Sequence, residues 1–207
     1  MPRPLPERPD ASITSLAALK AATMACRECP IGEFATQSVT GVGRLKSRLM
    51  LVGEQPGDQE DLQGHPFIGP AGKLLARALE AAGIPKEQTF VSNAVKHFKF
   101  ELRGKRRIHK SPTQREIGAC HHWLEDEIAL VRPGALVALG ASAARSLLGR
   151  AVPVLANRGQ WLPRPDGLEV LVTLHPSALL RGDPEEREPA FEAFVADLRQ
   201  AQRLFGR

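Results

Sequence analysis

A chain of 207 residues, 43% of them apolar, can close one sizeable core, so a single domain is expected over its whole length. The net charge of +5 suits a polyanionic partner, while 23 acidic residues interspersed among 28 basic ones exclude the uniform basicity of a ribosomal protein or a cationic tail. No apolar run approaches a membrane span, the first residues hold no signal-peptide core, and three cysteines, an odd number, argue against a disulfide framework and for a reducing, cytoplasmic setting.

Met1 to Ala11 is proline-rich and reads as a flexible arm. Thr14 to Met24 sets Leu16, Leu19 and Thr23 on one face, the pattern of a short amphipathic helix. It leads into Cys26-Arg27-Glu28-Cys29-Pro30. Two thiolates at this spacing can grip a metal, and the closing proline suits iron–sulfur and zinc loops alike; the plainer reading is two free thiols in a turn. Cys120 is available as a third ligand, and histidine is the usual fourth.

Leu49 to Val52 is a continuous apolar run, the mark of a strand buried on both faces. An acidic loop, Glu54-Gln55-Pro56-Gly57-Asp58, follows Gly53, and helical periodicity resumes after Gly69-Pro70-Ala71-Gly72 until Gly83 stops it. A strand, a polar loop and then a helix is where open α/β sheets place binding sites. Thr89 to Ser92 reads as a second strand, ending near Asn93. Lys96 to Lys110 then concentrates seven cations against one acid, Glu101, with Phe98, Phe100 and Ile108 between them. Most charge runs are solvated loops, but the interleaved apolar residues favour a loop docked on the body and facing phosphates.

Ser111-Pro112-Thr113-Gln114 reads as a capping box opening a helix that carries Ile117, Cys120, Trp123, Leu124 and Ile128. Ala135 to Leu139 is a third buried strand, followed by a helix over Ala141 to Leu148. Arg158 to Leu162 reads as an edge strand. Val170 to Leu174 is the fourth core strand and delivers His175-Pro176-Ser177, and a last helix runs from Pro184 or Glu188 to Leu204. The alternation predicts a three-layer α/β/α sandwich around a central, mainly parallel four-stranded sheet.

The strand ends bring Glu54 to Asp58, Asn93 and His175 towards one pocket, with Phe67 nearby. A phosphate-binding P-loop is excluded, because Gly72-Lys73 is followed by Leu74 and Phe67 stands where the first glycine belongs. An aromatic to stack on, an amide to read a base edge and a basic rim are the parts that hold a flipped-out nucleobase.

From about Cys26 onward the chain closely resembles the uracil-DNA glycosylases. GEQPGDQED is similar to the first motif of their iron–sulfur branch, GHPFIGPAG to the uracil-stacking segment and HPS to the second motif. Two departures, His97 where the branch carries cysteine after Val-Lys and the inserted Gly104-Lys105-Arg106-Arg107-Ile108-His109, resemble the UdgX type, which cross-links itself to uracil-containing DNA. The resemblance implies a [4Fe–4S] cluster on Cys26, Cys29, His97 and Cys120. It implies that Phe67 stacks on uracil and Asn93 bonds its amide edge, with Gly53, Arg107 and Ser177 completing the substrate-binding set and Arg107 holding its loop. Glu54, Gln55 and Asp58 would line the sugar side, His175 would stabilise the departing base, and His109 would be the covalent nucleophile.

By composition alone His109 is a phosphate contact, His65, His121 and His122 are structural or surface residues, and His121 is the rival fourth ligand beside Cys120. The implied partner is uracil-containing DNA, single- or double-stranded, met by a nucleoid-associated monomer. The alternatives are a conventional multiple-turnover iron–sulfur glycosylase and, in another class, a non-catalytic nucleic-acid module with a Cys3His zinc site.

Overall fold

The computed structural model describes residues 13–205, so the proline-rich arm predicted over Met1 to Ala11 lies outside the described residues. The first helix, α1 (Leu16–Ala25), opens on a Ser15 cap whose hydroxyl accepts from the Ala18 amide, and α2 (Ile31–Phe34) follows the C-x-x-C segment. The central sheet contains β1 (Val42–Gly43), β2 (Leu49–Gly53), β3 (Thr89–Asn93), β6 (Ala135–Leu139), β7 (Trp161–Pro163) and β8 (Glu169–Thr173). A separate hairpin pairs β4 (Phe100–Arg103) with β5 (Arg106–His109).

Strand order is β1-β3-β2-β6-β8-β7. The four inner strands are parallel, as the sequence predicts; the structure adds two antiparallel edges, the predicted one at Trp161–Pro163 and the unforeseen Val42–Gly43. Two-residue β1 offers too little periodicity to be read from sequence.

Every residue of β2 and β6 is buried, which explains their unbroken apolar runs. Their side chains nevertheless alternate between two cores. Leu49, Leu51, Val137 and Leu139 pack with Leu75, Leu79, Phe194 and Leu198 from α4 (Pro70–Ala81) and α9 (Arg187–Arg199). Met50, Val52, Leu136 and Ala138 pack on the other face with Leu124, Ile128 and Leu147 from α5 (Gln114–Val131) and α6 (Ala141–Leu148). Helices on both faces make the expected three layers. Two short helices, α7 (Val154–Asn157) and α8 (Pro176–Arg181), complete the set with α3 (Asp58–Gln63). No helix among the described residues is long and apolar enough to cross a membrane.

Three local expectations need correction. The α5 capping box is Thr113 with Glu116, not Ser111 with Gln114: Thr113 accepts from the Glu116 amide and Glu116 accepts from the Thr113 amide. The acidic segment after Gly57 is helix α3, whose first turn holds Asp58, Glu60 and Asp61; carboxylates favour that end of a helix, but they erased the apolar period by which it would be read. The Lys96 to Lys110 segment is a β-hairpin, and its first cation is not solvated at all. Lys96 is fully buried, 2.8 Å from Glu127 on α5.

Candidate active site

Chain order turns at β2, with β3 on one side and β6 on the other, so a crevice opens outside the carboxyl ends of these strands. A cavity of about 740 Å³ occupies it, lined by residues from the loops after β2, β3, β6 and β8 and by the end of the hairpin. Glu54, Gln55, Asp58, Phe67, Asn93, His109, His175 and Ser177 all border it, as does Ser142, which sequence reasoning missed. Nothing in the sequence marked Ser142 beyond its place in the first turn of α6.

One wall is an aromatic platform. Phe67 sits in the left-handed region at φ 56°, an uncommon conformation for a bulky residue that persists only where neighbours impose it. The neighbours are glycines. A Cβ on Gly72 would lie 1.7 Å from the Phe67 carbonyl oxygen, and one on Gly53 would lie 2.7 Å from Phe67 Cζ and 2.4 Å from Asn93 Oδ1. Gly53 pairs with Asn93 across β2 and β3, so the ring and the buried amide meet over a residue with no side chain. Glu60 helps to fix this segment by accepting from the Gly69 amide at 3.0 Å.

His175 caps α8, with its ring 6.2 Å from that of Phe67. Its Nδ1 accepts from the Ser177 backbone amide at 3.2 Å and lies 2.8 Å from Ser177 Oγ. An acceptor Nδ1 carries no proton, so in the neutral ring the proton is on Nε2. Burial drives the His175 pKa down to about 4, with Arg181 and His109 pushing the same way against Glu54. At neutral pH His175 is therefore an uncharged hydrogen-bond donor.

The hairpin forms the opposite wall. Gln55 holds its base: the side-chain amide donates to the carbonyls of Lys99 and Lys110 and accepts from the Lys99 amide at 3.0 Å. Arg107 ties its middle to α3. Nε donates to Asp58 and Nη1 to the buried Asp61, each at 2.6 Å, and the guanidinium lies over Phe98 and Phe100. Gln55, Asp58 and Arg107 thus spend their polar groups on the hairpin; of the three, Gln55 and Asp58 also border the cavity.

What they hold is His109. The last residue of β5 is half exposed, its ring tilted against Phe98 and its Nε2 3.7 Å from Glu54 Oε1. Desolvation lowers its pKa below 6.5, opposed by Glu54, so the ring is neutral at pH 7. The other Glu54 oxygen accepts from Ser142 Oγ at 2.5 Å.

A family model described as the uracil DNA glycosylase superfamily matches residues 40–199, the span that contains the cavity and the hairpin. The chain belongs to the uracil DNA glycosylase superfamily. It is 37% identical to a type-4 uracil-DNA glycosylase of Thermotoga maritima over 78% of this chain and 81% of that one. A type-4 enzyme of Pyrobaculum aerophilum is 34% identical over 75% and 80% of the two chains, and a type-5 enzyme of Thermus thermophilus 30% identical over 81% and 80%.

In this superfamily member the three thiols share one apolar cluster. Cys26, Cys29 and Cys120 pack with Leu19, Ile31, Val95, Ile117 and Trp123. Trp123 Nε1 donates to Cys26 Sγ at 3.4 Å and the Lys96 amide to Cys120 Sγ at 3.3 Å. Burial raises the Cys120 thiol to about 12 and the Cys29 thiol as well, the amides of Ile31 and Gly32 opposing the latter. His97 is buried, and burial with nearby Arg27 lowers its pKa to about 4. The Gly32 turn, where a Cβ would be 2.6 Å from the Cys26 carbonyl and 3.6 Å from His97 Cε1, brings the C-x-x-C loop against that ring. Among the described residues no three His, Cys, Asp or Glu side chains close around a single ion. His121, the rival ligand, is half exposed and lies 3.8 Å from Glu125, His122 bonds Glu28, and His65 is exposed.

Proposed function

We propose that the protein is a uracil-DNA glycosylase that excises uracil and ends its turnover joined through His109 to C1′ of the abasic site. Membership of the superfamily and the activity for which its relatives are named support the first half. The observation that carries the second is His109, a neutral imidazole held at the cavity mouth beside Glu54 by a hairpin tied down at its base and middle.

Breaking the glycosidic bond leaves the bonding electron pair on uracil and positive charge on the sugar. Phe67 supplies the face on which the base stacks and Asn93 the amide that reads its edge. Nε2–H of His175 donates to the uracil oxygen that gains the charge, at no cost in moving a proton. Glu54 opposes the charge on the sugar. A ring nitrogen of His109 then gives its lone pair to C1′, outcompeting water because it is already in place. The alkylated ring is a cation and a fair leaving group until its remaining proton departs. Glu54 is the nearest anion, and transfer of that proton to it leaves a neutral N-alkyl imidazole that no longer leaves.

Cys26, Cys29, His97 and Cys120 would hold a [4Fe–4S] cluster. Three thiols accepting N–H bonds and a neutral imidazole are a donor set whose chemistry suits such a cluster. It would serve as structural cross-linking of α1, β3 and α5, remote from the base.

A denaturing gel with uracil-containing oligonucleotide tests the covalent reading: a protein–DNA band that survives denaturant and high salt is expected, and its absence from freshly prepared, uracil-releasing protein refutes it. The same gel read across pH should show adduct formation level from pH 8 to the ordinary imidazole midpoint and falling only below it. Protonation removes the lone pair, and burial has moved that event downward. A midpoint above 6.5 would mean that His109 is not the titrating nucleophile.

Gly53 offers a separate check of the base pocket. In Gly53→Ala the new methyl would drive Phe67 and Asn93 from their places, so uracil release should fall by about 100-fold, the usual effect of a displacement of an ångström at a reacting centre. Unaltered release would show that the base does not lie between them.

A further inference from the structure

Ser142 borders the cavity, and its hydroxyl is bonded to Glu54, a group far from it in sequence. It reaches that position because β6 is followed by Gly140, whose φ of +92° turns the chain sharply; a Cβ there would come within 3.1 Å of His175 Cβ. Helix α6 then starts at Ala141, and its second residue faces across the crevice between β6 and β2. A hydroxyl in the first turn of a helix ordinarily bonds its own backbone. This one donates to Glu54 Oε2 at 2.5 Å, the length of a hydroxyl bond to a carboxylate.

We propose that Ser142 is a positioning residue that divides the labour of the two Glu54 oxygens. Its hydroxyl holds Oε2, so that Oε1 is the oxygen turned to His109, 3.7 Å from Nε2. The last torsion of a glutamate is broad and two-fold, and nothing intrinsic to Glu54 fixes it. A tether on one oxygen does. The consequence, which rests on the covalent reading above, concerns the order of two captures at C1′. The His109 lone pair forms the N–C1′ bond after uracil has left with the glycosidic electrons, and Oε1 takes the ring's remaining proton. With Oε1 misaimed, the alkylated ring keeps its proton longer and leaves again, and water takes its place. Ser142 therefore governs how each turnover is partitioned between adduct and free abasic DNA, more than how quickly uracil departs.

Single-turnover reactions of the full-length protein with uracil-containing oligonucleotide measure this, scoring adduct on denaturing gels and free abasic DNA by alkaline cleavage. In Ser142→Ala the adduct-to-abasic ratio should fall about tenfold, the usual worth of one hydrogen bond to a charged group. Ser142→Thr keeps the hydroxyl and should return most of the ratio. A general loosening of the fold would lower both products together and leave the ratio alone. An unchanged ratio in Ser142→Ala overturns the proposal, as does an equal loss in Ser142→Thr. A wild-type reaction that releases uracil without any adduct instead overturns the covalent reading, and this role of Ser142 with it.

Discussion

On the covalent reading proposed above, replacing His109 by serine is expected to abolish adduct formation while uracil release continues, so that the variant turns over. The groups proposed to break the bond lie elsewhere on the cavity wall: Phe67, Asn93 and His175 for the base, and Glu54, bonded to Ser142, for the sugar charge. A dissociative transition state gains little from the group that later captures the cation, so removing that group changes the fate of the intermediate more than the rate of reaching it. Serine leaves room for water where the ring stood. The hairpin survives the change, because Gln55 and Arg107 anchor it and the pairing of His109 with Phe100 is made by the backbone. His175→Ala should do the opposite, slowing scission by two to three orders of magnitude, the typical cost of one donor to a developing oxyanion, and with it every product. Scoring free uracil and shifted protein separately distinguishes the variants. If His109→Ser neither releases uracil nor cross-links, His109 takes part in scission and this division of roles fails.

The second large effect lies beneath the site. Glu127, fully buried on α5, bonds Lys96 at 2.8 Å, the Gly41 amide at 2.7 Å and the Ser92 hydroxyl. Lys96 in turn donates to the Asn93 carbonyl, so one buried ion pair secures the strand end that carries the amide proposed to read the base. Truncating one partner leaves the other charge buried without a counterion. Glu127→Ala should therefore cost about 3–5 kcal/mol, seen as a thermal midpoint lower by about 6–20 °C. Removing both charges, as Lys96→Met with Glu127→Leu, should regain most of that loss, because an apolar pair needs no desolvation. Equal instability of the single and double variants would show that the cost is a packing defect and not an unpaired charge.

Much of this protein is legible without its structure where the signal is local. Two of the four parallel strands announce themselves because a strand buried on both faces favours apolar residues throughout, as in Leu49 to Val52 and Ala135 to Leu139. Pro70 and Gly83 bracket α4 for backbone reasons that hold in any context. Motif resemblance names the candidate site residues, and Glu54, Asn93, Phe67, His109 and His175 border one cavity.

What escaped is what depends on a partner distant in the chain. Lys96 reads as one more cation of a docked loop facing phosphates, and only Glu127, 31 residues away, makes it a core residue. Gln55 and Asp58 read as groups facing a sugar, and the hairpin that occupies their polar atoms begins more than 40 residues later. Ser142 carries no sequence signal, since its meaning comes from Glu54 across the turning point of the sheet. Local periodicity reports how much of each element is buried. Which polar groups are satisfied, and by whom, is decided only when strands distant in sequence are brought side by side.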